Sequence, residues 1–284
     1  MIIDAHVHFW HYNPVEYEWI DEPLASLRRD FLPGDAAREM RVAGIDACVA
    51  VQVRQRLEET RWLVELARTD PFIAGVVGWV DLRAADLGVQ LDGLTTDAKL
   101  VGIRHIVQAE ADDFLDDEAF RRGVGVLEHH GLAYDILVYA RQLPAATRFA
   151  AALPGTRLVL DHLGKPDIRG GGIDSWRRDL DRLAALPNVC AKISGLVTEA
   201  DWRHWSVEDL HRYINAALDS FGPDRLMIGS DWPVCTVAAS YGAVLDVVRT
   251  AVTGLSQDAR AAVLGGTARR FWNLPDVCSL ERSI

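Results

Sequence analysis

Positive charge is scarce in this chain. Lys+Arg total 30 against 41 Asp+Glu, a formal net charge of −11 at pH 7. Nucleic acid rewards a basic stripe that releases counterions, so this balance argues against a nucleic-acid partner. It does not exclude an anionic substrate, because a local Arg or His overrules the global field. Cysteine is sparse too. Cys48, Cys190, Cys235 and Cys278 are far apart and form no C-x-x-C. That excludes a disulfide-dense scaffold and fits reduced, structural thiols in a cytoplasm. No apolar run approaches the ~20 residues that span a bilayer. The start, MIIDAHVHFW, has Asp4 and His6 where a signal peptide needs apolar residues. These absences lead to an expected soluble, cytoplasmic protein with no membrane partner. There is also no G-x-S-x-G elbow and no paired-carboxylate pattern for glycoside chemistry. Arg169-Gly-Gly-Gly172 matches neither phosphate-loop pattern and reads as a flexible loop.

What is present is ordinary globular composition, 49% hydrophobic and 25% charged. At about 150 residues per domain the length suggests two, but α/β barrels often use about 250 as one. Short β-branched runs alternate with helix-period segments. Strands are expected at 2–6, 46–53, 72–80, 100–107, 133–138, 157–161, 189–193 and 225–229. Helices are expected at 34–43, 58–69, 86–97, 116–130, 143–153, 174–186 and 206–220, with helices filling 238–273. Ser206-Val-Glu-Asp209 reads as a capping box. Strict alternation implies parallel strands joined by crossover helices. Several strands (ACVAV, IAGVV, RLVLD, RLMIG) are apolar without alternation, as strands covered on both faces should be. The expected fold is α/β: a single (β/α)8 TIM barrel over residues 1–284 with C-terminal helices.

Active sites of such barrels lie at the C-terminal ends of the strands. Strand 1 ends in Asp4-Ala-His6-Val-His8, strand 4 in Arg104-His105, strand 6 in Asp161-His162-Leu-Gly-Lys165 and strand 8 in Ser230-Asp231-Trp232. Strand 7 carries Lys192 and Ser194. In an extended backbone residues i and i+2 face the same way, so both His6 and His8 can reach one metal ion or one substrate oxygen. Strands 1 and 8 are neighbours in a closed barrel, which lets Asp231 join them. His, His and carboxylate suit Zn²⁺ or a similar divalent ion. Arg104 and His105 have opposite facings; Arg104 is the better candidate for the mouth, because a guanidinium can polarise a carbonyl with two donors. Ser194 reads as a satisfied barrel position. Trp10, Tyr12, Tyr17 and Trp19 crowd the loop after strand 1, and Trp232 sits at another rim position. They suit a sugar face or an apolar lid. His129-His130 reads as complementing a helix dipole.

IDAHVHFW, GIRH, VLDHLGKP, IGSDWP and GGTARRFW together resemble the amidohydrolase superfamily, nearly end to end. The start and the last three segments resemble its amidohydrolase-2 branch, in particular the sugar-lactonase group. The resemblance implies hydrolysis of an aldono-1,4- or 1,5-lactone, such as L-fucono- or L-rhamnono-lactone, to the open hydroxy acid. Strand 5 (AYDILVY) offers no histidine for a second metal. At most one ion is therefore expected, on His6, His8 and Asp231, bindable yet dispensable, because a lactone carbonyl is more electrophilic than an amide. Asp231 is expected to be the general base, with His162 and Arg104 polarising the carbonyl. His6, His8, Trp19, His105, Lys192 and Trp232 are the expected substrate contacts. The alternatives are a metal-dependent decarboxylase of an aromatic or unsaturated acid from the same branch, another ester, amide or phosphoester hydrolase, and a non-catalytic sugar-binding barrel.

Overall fold

The computed structural model describes residues 1–275, so Cys278 and the last part of the expected domain lie outside the described residues. Eight strands form one sheet in sequence order. They are β1 (Ile3–Val7), β2 (Ala47–Val51), β3 (Ile73–Gly78), β4 (Leu100–His105), β5 (Ala133–Ile136), β6 (Leu158–Leu160), β7 (Val189–Ile193) and β8 (Leu226–Ile228). Each neighbouring pair from β1/β2 to β7/β8 is parallel. The sheet closes beyond the end of β8. His8 N donates to Trp232 O at 2.7 Å, and Asp231 N donates to His6 O at 2.9 Å. This is the (β/α)8 barrel that strict alternation implies.

The crossovers are α1 (Pro33–Val42), α2 (Leu57–Thr69), α3 (Leu87–Leu94), α4 (Glu118–His129), α5 (Leu143–Ala151), α6 (Asp174–Ala184), a short α7 (Leu196–Glu199) and α8 (Val207–Phe221). Ser206 caps α8 as its sequence suggests: its Oγ accepts from Asp209 N at 3.2 Å, and the Asp209 carboxylate accepts from Ser206 N at 3.0 Å. The 238–273 region is broken into α9 (Tyr241–Ala251), α10 (Gln257–Ala261), one π turn (Ala262–Gly266) and α11 (Thr267–Trp272). The 9–33 segment is a loop, but an ordered one. Trp10 and Phe31 bridge as an antiparallel pair, and Trp10, Tyr17, Leu27 and Phe31 are buried beneath it. Among the described residues no helix is long and apolar enough to cross a membrane.

Two apolar layers follow from strand alternation. Outward residues such as Cys48, Ala50, Ile103, Tyr134, Leu158 and Ile228 pack under the helices. Inward residues Ala5, Val49, Val77, Val159 and Met227 pack on Phe271, Trp272 and Leu274, which plug one end of the barrel. Each large apolar side chain so buried contributes about 1.5–3 kcal/mol. The other end of the interior is polar, and there the chemistry sits.

Candidate active site

The first step in building the site is a β-bulge. The β1/β2 register runs from Asp4↔Cys48 to Val7↔Ala50, three residues on β1 against two on β2. A bulge re-aims side chains. Asp4 points outward, where its Oδ2 accepts from the Tyr241 hydroxyl of α9 at 3.0 Å. Its Oδ1 accepts from His6 N and Ser230 N at 3.1 and 2.9 Å, stitching β1 to the strand-8 turn. After the bulge, His6 and His8 face the barrel axis.

There the two imidazoles meet, Nε2 to Nε2, at 3.2 Å. His8 Nδ1 lies 2.8 Å from Val51 O, a carbonyl that can only accept. His8 therefore carries its proton on Nδ1 and offers a lone pair at Nε2. His6 Nδ1 lies 3.4 Å from Asp161 Oδ1, and Arg104 Nη1, which can only donate, sits 3.3 Å from His6 Nε2 and calls for a lone pair there. Both Nε2 lone pairs then converge. Asp231 Oδ1 completes the set at 3.2 Å from His8 Nε2 and 3.8 Å from His6 Nε2. Two imidazole ligands of a tetrahedral zinc lie about 3.4 Å apart. The donor set and its spacing thus fit a divalent cation, and the Val51 carbonyl and Asp161 are the outer partners that orient metal-binding histidines.

Below this cluster lies a fully buried layer of charge. Lys192 Nζ, at 0% exposure, pairs with Asp135, lies 2.9 Å from Asp161 Oδ1 and 3.2 Å from His6 Nδ1. Arg104 Nη1 donates to Asp161 Oδ2 at 3.0 Å, and Nη2 donates to Gln52 O. Two cations therefore face two carboxylates, which is the condition for keeping such groups out of water. Burial pushes Asp161 up, but Lys192, His6 and Arg104 together outweigh it and hold the carboxyl well below the usual range. Burial pushes Asp135 up, against the opposing pull of Lys192. Burial also lowers His6 well below the ordinary histidine value.

His162 joins from the turn after β6. Its Nδ1 lies 2.9 Å from Ser194 Oγ, and its ring centroid is 4.5 Å from that of His6. Burial lowers its pKa to about 4, so it is neutral at pH 7. Gly195 makes room for it: with φ +63°, a Cβ there would lie 2.5 Å from His162 Nδ1. His162, Leu163, Lys165 and Asp231 are themselves in the left-handed region, at φ 54°, 52°, 48° and 62°. Each such residue costs roughly 1–3 kcal/mol and persists only where its surroundings impose it. For Asp231, burial is opposed by the surrounding imidazoles, His162 foremost, and the result is a carboxyl far below its ordinary pKa.

The structure brings His6, His8, Arg104, His162, Lys192 and Asp231 together. It does not bring His105 or Trp19 to them. His105 faces outward, as alternation from Arg104 demands; it lies parallel to the Phe114 ring and reaches Glu110 Oε1 at 2.9 Å. Trp19 stands half-exposed against Trp10 at 6.1 Å. Trp232 is buried against Phe9 and Phe31, and its backbone carbonyl rather than its ring serves the site. Lys192, an expected substrate contact, lies beneath His6 with no exposure and is held by carboxylates. Ser194, read as structural, is the partner of His162. Asp161 was named at the end of strand 6 but given no role, and Asp135 and Gln52 were missed. A lone acid in the apolar stretch AYDILVY, and one closing RLVLD, were the available signals.

A model of the amidohydrolase family matches residues 3–274. The chain is 46% identical to an L-fucono-1,5-lactonase of Burkholderia multivorans, over 96% of each chain. It is 39% identical to an L-fucono-1,5-lactonase of Burkholderia ambifaria, over 96% of this chain and 95% of that one. A crystal structure of a Burkholderia multivorans amidohydrolase with bound zinc superposes with a TM-score of 0.94 at 44% identity, covering 97% of this chain and 100% of that one. A 5-carboxyvanillate decarboxylase from Sphingomonas paucimobilis is only 17% identical, with a TM-score of 0.66, a likeness of fold alone. With the family model spanning the whole barrel and His6, His8, His162 and Asp231 gathered at its mouth, the chain belongs to the amidohydrolase family.

Proposed function

We propose that this protein hydrolyses a sugar lactone of the L-fucono-1,5-lactone class to the open hydroxy acid. The observation that carries this reading is the Asp231 carboxyl standing 3.2 Å from His8 Nε2 at the barrel mouth. Asp231 takes a proton from the attacking water. Its low pKa keeps it ionised throughout the neutral range. In the tautomer that serves this step, His162 Nδ1 accepts from Ser194 Oγ, and the proton on Nε2 is available to the carbonyl oxygen that becomes the oxyanion. Arg104, whose Nη1 reaches His6, adds positive charge behind the same point. Protonated Asp231 then returns its proton to the departing ring oxygen. His6, His8 and Asp231 would hold one divalent cation, zinc or similar; when bound, it polarises the carbonyl and acidifies water. A lactone is an activated ester, so these residues are expected to retain catalysis without it.

The cytoplasm is the proposed compartment, in keeping with free thiols at Cys48, Cys190 and Cys235. The test of function is acid release, followed by a pH indicator, from a panel of aldonolactones before and after chelation. Release from a sugar lactone that disappears in Asp231→Asn supports the reading. Release from no lactone overturns it and turns attention to carbon dioxide from aromatic acids.

A further inference from the structure

A second polar pair stands at the same end of the barrel. Lys165 follows β6 by the strained turn that carries His162, and Glu199 ends α7, the short helix after β7. Lys165 Nζ lies 3.5 Å from Glu199 Oε1, and 5.4 Å from the ring centre of Tyr139, which follows β5. All three lie past the C-terminal ends of their strands. The pair is within electrostatic reach of the site: the Lys165 charge lowers the pKa of His162, and the Asp231 charge raises that of Glu199. Glu199, though not Lys165, lines a cavity of about 620 Å³ together with Arg169 and Trp202.

A loop-tying salt bridge is the plainer explanation, but the two loops are already joined. Arg169 N donates to Glu199 O at 3.0 Å, and Gly195 packs directly on His162. A partly exposed ion pair adds little to that. Among the described residues, neither side chain has another hydrogen-bond or ion-pair partner. An ammonium with three donors beside a carboxylate with about four acceptor sites therefore retains most of its capacity. A donor and an acceptor side by side match neighbouring hydroxyls on a sugar ring, with the Tyr139 face alongside.

We propose that Lys165 and Glu199 form the subsite that grips the hydroxyls of the lactone and so sets which sugar lactone is accepted. This inference rests on the lactonase reading above. Its test is steady-state kinetics of Glu199→Gln and Lys165→Met on aldonolactones that differ at single hydroxyls. Glu199→Gln preserves the shape of the side chain, so it stands if Lys165→Met fails to fold. The expected result is a KM for the best lactone raised about tenfold or more, as loss of a charge-assisted hydrogen bond implies, with kcat changed less and the spread of kcat/KM across the panel narrowed. Wild-type KM and spread in both variants overturn the proposal. So does an equal fall of kcat on every lactone at constant KM, which assigns the pair to positioning. A wild-type protein inactive on every lactone overturns the functional reading, and this one with it.

Discussion

His6 Nε2 and His8 Nε2 face each other at 3.2 Å, and both offer lone pairs, His8 because its Nδ1 donates to Val51 O and His6 because its Nε2 faces the donor Arg104 Nη1. Two lone pairs and a carboxylate at one point make a cation site. Wild-type protein is expected to bind about one equivalent of zinc by calorimetry. His8→Asn should weaken that binding at least tenfold, since it removes a ligand, while loss of an outer partner costs about 10–100-fold. Unaltered affinity in His8→Asn would remove the histidine pair from metal binding.

Asp231→Asn should reduce kcat by about 10²–10⁴, the usual contribution of a positioned general base. The fold should survive, because Asp231 closes the barrel through its backbone N–H to His6 O at 2.9 Å, not through its carboxylate. The informative comparison is kcat with the melting temperature. A fall in both together would assign Asp231 a structural role.

Lys192→Met should destabilise the protein by about 3–5 kcal/mol, the cost of leaving buried carboxylates uncompensated. Lys192→Met combined with Asp135→Leu should cost less than the sum of the single changes, because the two groups share one ion pair. Chemical denaturation of the four proteins gives the coupling. Additive losses would show that Asp161 alone is the partner that matters.

Alternation and the two-face burial of ACVAV or RLVLD made the barrel legible, since a parallel strand has no polar face to obscure the pattern. His6, His8 and Asp231 were legible because strand ends in a closed barrel share one rim. The bulge between Asp4 and Val7 was not, because nothing in IDAHV distinguishes an outward Asp4 from an inward His6. Lys192 and Asp135 were hidden for a related reason. A charge on an inward strand position looks like a substrate contact until its depth is known, and depth is set by how far the strand runs before it turns. The strands end one or more residues earlier than their apolar runs suggest at Ile136, Leu160 and Ile228. Those early turns are what bring Asp161, His162 and Asp231 into reach of one another.

His162 predicts how stability depends on pH. Its pKa is about 4 in the folded protein because burial disfavours the charged ring, against 6.5 in the unfolded chain. Above 6.5 the ring is neutral in both states, and its full contribution is present. As pH falls towards 4 the unfolded chain takes up a proton that the folded protein refuses, so stability is lost. The loss stops below about 4, where both states are protonated. A depression of this size corresponds to about 3 kcal/mol across the window. His6 is depressed in the same direction and steepens the slope. Urea denaturation at a series of pH values, with chelator present so that metal binding does not contribute, should therefore show stability falling from pH 6.5 to 4 in the wild type. His162→Gln should show a shallower fall over the same window. Parallel curves would mean that the buried imidazole gains its proton as readily in the folded state, and that Asp231 rather than burial controls its charge.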